Sequence, residues 1–110
     1  MDSESLTARR CKPCEGGVAA LTGAELDDLA GRLDGWSVVD GRQLEKDYRF
    51  KDFATALAFV NRLGAVAEEE GHHPDVFLAW GRVKVTLWTH AIGGLSENDF
   101  ILAAKADAVL

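Results

Sequence analysis

Three imidazoles crowd one stretch of this chain. His72 and His73 stand side by side in EEEGHHPDVF, residues 68–77, and His90 lies near the end of the next apolar run. Every histidine in the sequence falls in this segment. Imidazole titrates near pH 6.5 and can give or take a proton at neutral pH, so the clustering suggests acid–base chemistry. Pro74 disfavours the α region for His73 and pushes it extended. A pinned backbone beneath a titratable side chain is what a positioned acid or base requires. Adjacent extended residues point to opposite sides, which argues against His72 and His73 holding one metal together, and the expected metal content is none.

Each residue also has a plainer reading. His72 can be a helix-end histidine facing free carbonyls and the helix dipole, and His90 a strand residue on a half-exposed face. Glu68, Glu69 and Glu70 can be a solvated helix end. Glu68 stands out because it lies four residues before His72, where its carboxylate could orient an imidazole or bind a substrate donor. Asp99 falls three residues after Ser96, the pattern of a helix cap. Trp36, Trp80 and Trp88 read as core residues before binding platforms. The plain readings leave the clustering unexplained, and a tight hairpin after the pair can return His90 to the neighbourhood of His72 and His73.

The elements that would position these residues can be read from periodicity. Thr22 followed by Glu25 forms a capping box. Leu26, Leu29, Ala30 and Leu33 then recur at helical spacing, with Gly35 placed to end the helix. Asp40-Gly41 is a two-residue turn signal, and Leu44, Lys46, Tyr48 and Phe50 alternate after it with Glu45, Asp47 and Arg49. Asp52 can cap a long helix whose face is Phe53, Ala56, Leu57, Val60, Leu63, Gly64 and Ala67, with Gly71 as the left-handed stop. A second hairpin turns near Gly81. Its return strand puts Val83, Val85, Leu87 and Thr89 on one face, and Lys84, Thr86, Trp88 and His90 on the other. Ser96 caps the last helix. The order is α-β-β-α-β-β-α, an α+β fold in which a four-stranded antiparallel sheet carries three helices on one face.

Composition narrows the possibilities. The chain has 110 residues, 47% hydrophobic and 27% charged, with a net charge of -6. That length suits one domain with a modest core. The acidic balance argues against nucleic acid and against an anionic membrane surface. With no apolar signal region and no run of about 18 apolar residues, the expected compartment is the cytoplasm. Residues 1–20 read as a flexible leader and 21–110 as the domain. Cys11 and Cys14 form a C-x-x-C pair in that leader. A zinc site would need two more ligands and a thioredoxin-like site a βαβ unit. The expected state is therefore a reduced thiol pair, with a regulatory disulfide as the alternative.

Taken together, EEEGHHPD, the TH that ends the second strand pair, and GLSENDF resemble the pterin-4a-carbinolamine dehydratase family. The resemblance runs from about Leu21 to the C-terminus. It rests on Glu68, His72-His73-Pro74, Trp80, His90 and Asp99, with GW at 35–36 and FKDF at 50–53 in support. A C-x-x-C leader before a Gly pair resembles bacterial members. The resemblance implies dehydration of 4a-hydroxytetrahydrobiopterin to quinonoid dihydropterin, in tetrahydrobiopterin recycling, by a lyase without a cofactor that assembles as a homodimer or homotetramer. It carries the catalytic trio onto His72, His73 and His90, and the substrate-binding residues onto Glu68, Thr89 and Asp99. His72 and His90 are expected as acid/base groups on the two sides of the pterin, and His73 mainly as a binding and orienting group. The family often has Trp or another aromatic two residues after the proline, where this chain has Val76, followed by Phe77. Two rival readings remain: a homologue acting on another pterin, related to the molybdenum cofactor, and a non-enzymatic assembly module on the same fold.

Overall fold

The structure, a computed structural model, describes residues 5–12 and 19–110. Its elements are α1 (Gly23–Ala30), β1 (Ser37–Val39), β2 (Gln43–Arg49), α2 (Phe53–Glu70), β3 (Asp75–Ala79), β4 (Arg82–Leu87) and α3 (Glu97–Ala108). The strands form one antiparallel sheet in the order β1-β2-β4-β3. The expected α+β order is the observed one. Leu44 and Tyr48 of β2 and Val83, Val85 and Leu87 of β4 point inward and are buried under the helices. Glu45, Asp47, Lys84 and Thr86 alternate with them on the opposite face. Among the described residues no helix is long and apolar enough to cross a membrane.

Local chemistry sets the ends of α2. Asp52 accepts from the Thr55 backbone N–H at 2.8 Å and also from the Thr55 hydroxyl, satisfying donors that a helix start leaves open. At the other end Gly71 takes φ +66, and His72 N–H reaches back to the Ala67 carbonyl at 3.3 Å. Only a residue tolerant of the left-handed region makes this reversal cheaply. Gly81 is required for a different reason. It lies so close to β2 that a Cβ there would sit 2.8 Å from the Phe50 carbonyl oxygen.

Several expected details differ. α2 buries Ala56, Phe59, Leu63, Ala67 and Glu70, while Phe53 and Leu57 are 44% and 39% exposed. Two neighbouring stripes of this helix are apolar, and periodicity alone does not choose between them. The ring of Phe59 decides it by packing on Tyr48 and Phe50, with centroids 4.6 and 5.4 Å away. α1 stops at Ala30 rather than running to Gly35, because the chain tightens after Gly31 into i→i+3 bonds from Arg32 to Leu29 and from Leu33 to Ala30. Thr22 is its N-cap, but its side chain makes no capping bond. Gly23 enters the helix at φ +59, so the first turn does not present its N–H groups to the Thr22 hydroxyl. β4 ends at Leu87, and His90 begins a short 3-10 turn, His90–Ile92.

Part of the segment read as a leader, residues 5–12, has contacts with the domain. Leu6 is part of the buried core, and the 3-10 turn Leu6–Ala8 lies against α3. A polar sequence hid this because the segment is held largely through side chains far along the chain. Cys14 lies outside the described residues, so the C-x-x-C pairing does too.

α3 is anchored at its far end by Asp107. The carboxylate accepts from Trp36 Nε1 at 3.1 Å, Lys46 Nζ at 2.9 Å and the Tyr48 hydroxyl at 2.6 Å. Burial, together with Asp107, pushes the Tyr48 hydroxyl pKa up, so the phenol keeps its proton and donates it. These bonds lock α3 to β2 and so fix the position of its first turn.

Candidate functional site

That first turn holds Asp99, which is 0% exposed. A buried carboxylate must be compensated by donors, and Asp99 has three. Oδ2 accepts from Ser96 N–H at 2.9 Å and from the Thr89 hydroxyl at 2.7 Å. Oδ1 lies 2.6 Å from His72 Nε2. Asp99 therefore caps α3, as its spacing from Ser96 suggested, and also contacts His72, a partner the sequence did not reveal. As a carboxylate it can only accept, so Nε2 of His72 carries a proton and Nδ1 is the nitrogen left for other chemistry. The Thr89 hydroxyl also lies 2.8 Å from Ser96 Oγ.

The left-handed Gly71 swings His72 away from the end of α2 toward α3. His73 is consequently the histidine that meets Glu68, with Nε2 2.5 Å from Oε2. Glu68 thus meets the imidazole five residues on, not that of His72 four residues on. Both members of this pair are exposed, so it is a solvated contact with modest strength. His90 stacks on Trp88, ring centroids 4.0 Å apart and planes 30° apart.

His72, His73, Thr89 and His90 all line one cleft of about 650 Å³. Asp99 stands behind it, and Glu68 reaches it through His73. Among the described residues no group of three His, Cys, Asp or Glu side chains is placed to hold a metal. The two adjacent imidazoles are committed to different carboxylates, which suits the extended backbone expected before Pro74.

Trp80 does not join them. It sits at the tip of the β3–β4 hairpin and is 68% exposed, because a turn residue there has no layer above it. Val76 and Phe77 line a separate hollow of about 440 Å³ on the open side of the sheet, with Asp75, Arg82, Lys84 and Thr86. The aromatic surface in the histidine cleft comes instead from Trp88. The signal for it was present in the sequence, since Trp88 and His90 are two apart and share a face. The cleft is also lined by Glu70, Asn98, Cys11 and Lys12, which sequence reasoning did not place there. Burial, with the charge of Glu70, pushes the Cys11 thiol up to about 12, so it is not a nucleophile at neutral pH.

A family model described as pterin 4 alpha carbinolamine dehydratase matches residues 19–109. The chain belongs to the pterin-4a-carbinolamine dehydratase family of hydro-lyases. Family members provisionally named as such dehydratases include one from Rubrobacter xylanophilus, 52% identical over 93% of this chain and 95% of its own. Another, from Vibrio cholerae, is 52% identical over 91% of this chain and 94% of its own. Among solved structures of the family's fold, a transcriptional coactivator/pterin dehydratase from Brucella melitensis superposes with a TM-score of 0.77. It is 42% identical, covering 82% of this chain and 97% of that one. A pterin dehydratase-like protein described as a RuBisCO assembly factor of the alpha-carboxysome has a TM-score of 0.60 at 29% identity, covering 69% and 89%.

Proposed function

We propose that this family member dehydrates a 4a-hydroxytetrahydropterin, with 4a-hydroxytetrahydrobiopterin as the substrate and quinonoid dihydropterin and water as products. The observation that carries the reading is the cleft onto which three histidines converge, one of them held by a buried carboxylate. The reaction breaks the C4a–O bond. One group delivers a proton to the leaving hydroxyl, and another removes the proton from the ring nitrogen, so the ring gains a double bond and water leaves. His72 and His90 supply these two proton transfers. Asp99 holds His72 in one tautomer and orientation. His73, tethered to Glu68, binds and orients the pterin, and Trp88 beside His90 offers a flat apolar surface to the ring. Positioned acid–base groups contribute roughly 10² to 10⁴-fold. A substrate that also dehydrates unaided needs no more. The direct test is the decay rate of enzymatically generated pterin carbinolamine with and without the protein; no acceleration would refute the reading.

We infer further that this chain forms a homodimer or homotetramer. β3 is an outer strand of the sheet and presents Val76 and Phe77, with Trp80 exposed at the hairpin tip beyond it, while Phe53 and Leu57 are exposed on α2. An apolar outer strand invites pairing with another chain. Light scattering after size exclusion checks this, and a monomer at micromolar concentration would refute it.

A further inference from the structure

The segment Arg9–Lys12 comes from the opposite end of the sequence to the histidines' partners, yet Cys11 and Lys12 line the histidine cleft. Its attachment is specific. Lys12 N–H donates to Asn98 Oδ1 at 2.9 Å, and Asn98 Nδ2 donates back to the Lys12 carbonyl at 2.6 Å. That two-way amide pairing imitates a strand ladder with one side chain. One residue earlier, Cys11 N–H donates to Glu70 Oε1 at 2.8 Å. The other oxygen of Glu70 takes Lys105 Nζ at 2.7 Å and lies 3.0 Å from Arg10 Nε. Glu70 stands two residues before His72, and Asn98 immediately precedes Asp99. The groups that anchor the arm are therefore chain neighbours of the groups that hold the imidazole.

We propose that the arm Arg9–Lys12 is a wall of the pterin site, and that Glu70 and Asn98 are positioning residues that hold it closed on the bound ring. The inference rests on the dehydratase reading. A cleft binds a small flat ligand by burying most of its surface, so a wall held by backbone bonds raises affinity without taking part in proton transfer. Burial pushes the Cys11 thiol far above neutrality, so it takes no part in the proton transfers. Its contribution is to binding, and it should separate KM from kcat.

The experiment compares wild type, Asn98→Ala and Glu70→Gln. Steady-state dehydration of the carbinolamine gives KM and kcat, and titration with 7,8-dihydrobiopterin, which lacks the 4a-hydroxyl, gives affinity without turnover. Losing the amide pairing should raise KM and the dissociation constant together by about tenfold, the worth of one well-made hydrogen-bonded contact, with kcat within about twofold. Glu70→Gln keeps the side-chain volume and an acceptor for Cys11 N–H, so it should give a smaller rise, and it serves where Asn98→Ala fails to fold. Folded variants with wild-type KM and pterin affinity would overturn the inference alone. A wild type that neither binds the reduced pterin nor speeds dehydration would overturn the functional reading, and the inference with it.

Discussion

Replacing Asp99 by Asn separates its two jobs. The substitution keeps the shape and one carbonyl oxygen, while the second oxygen becomes an NH₂ group. Ser96 N–H and the Thr89 hydroxyl converge on Oδ2, and a backbone N–H cannot reverse its role. The Asn oxygen must therefore face those two, and the NH₂ must face His72. Since NH₂ only donates, His72 Nε2 has to become an acceptor, and its proton moves to Nδ1. The two losses differ in size. Stability loses the difference between a charge-assisted and a neutral hydrogen bond, about 1 kcal/mol. Catalysis loses the right tautomer at one of two proton-transfer groups. If such groups together contribute roughly 10² to 10⁴-fold, the rate should drop by about 10 to 10²-fold. The assay is carbinolamine dehydration across neutral pH, with urea unfolding of the same preparation. A rate within twofold of wild type, with stability reduced by about 1 kcal/mol or more, would reduce Asp99 to a helix cap.

Replacing His72 or His90 by Ala should slow dehydration by about 10 to 10³-fold each while circular dichroism stays native; wild-type rates in both would remove them from the mechanism. Exhaustive chelation should leave activity unchanged, since His72 and His73 are bonded to different carboxylates; zinc-restored activity would contradict this. Acid should loosen the arm. Burial disfavours the charge on Glu70, but the bonds from Lys105 and Cys11 and the charges of Lys105 and Arg10 outweigh it, lowering the carboxyl from 4.5 to about 2. A folded value below the unfolded one stabilises the fold above pH 4.5, and that stabilisation is lost as pH falls from there toward 2. The Glu70 side chain is 1% exposed but its partner Arg10 is 67% exposed, so screening trims the stabilisation to about 1–3 kcal/mol. Glu70→Gln should flatten the acid limb of stability measured by urea unfolding at successive pH values; an unchanged slope would contradict the pairing.

What the sequence made legible was mostly local. Asp52, Gly71 and Asp40-Gly41 each act within a few residues, and each stands where the spacing places it. The histidine cluster was legible because the elements between its members are short and regular. The buried face of α2 was not, since Phe53 and Leu57 offer the same spacing as Phe59 and only the sheet beneath selects among them. That Glu68 meets His73 rather than His72 was not legible, because a left-handed glycine rotates the chain beyond it, which a count of four residues does not register. The arm was invisible for a stronger reason. Its polar composition says nothing of partners such as Glu70 and Asn98, which acquire meaning only once the chain has folded.

Those partners also set an order of events. A ribosome delivers the arm first, yet Arg9 pairs with Glu97 and Lys12 with Asn98, 88 and 86 positions later. His72 likewise waits 27 positions for Asp99. During synthesis, α1, both hairpins and α2 emerge before α3, so the nascent chain carries its histidines without the carboxylate that aligns them. Long-range closures of this kind come late. α3, made after the histidines, completes the sheet's cover, the His72 tautomer and the docking of the arm, and a chain cut short before it lacks all three.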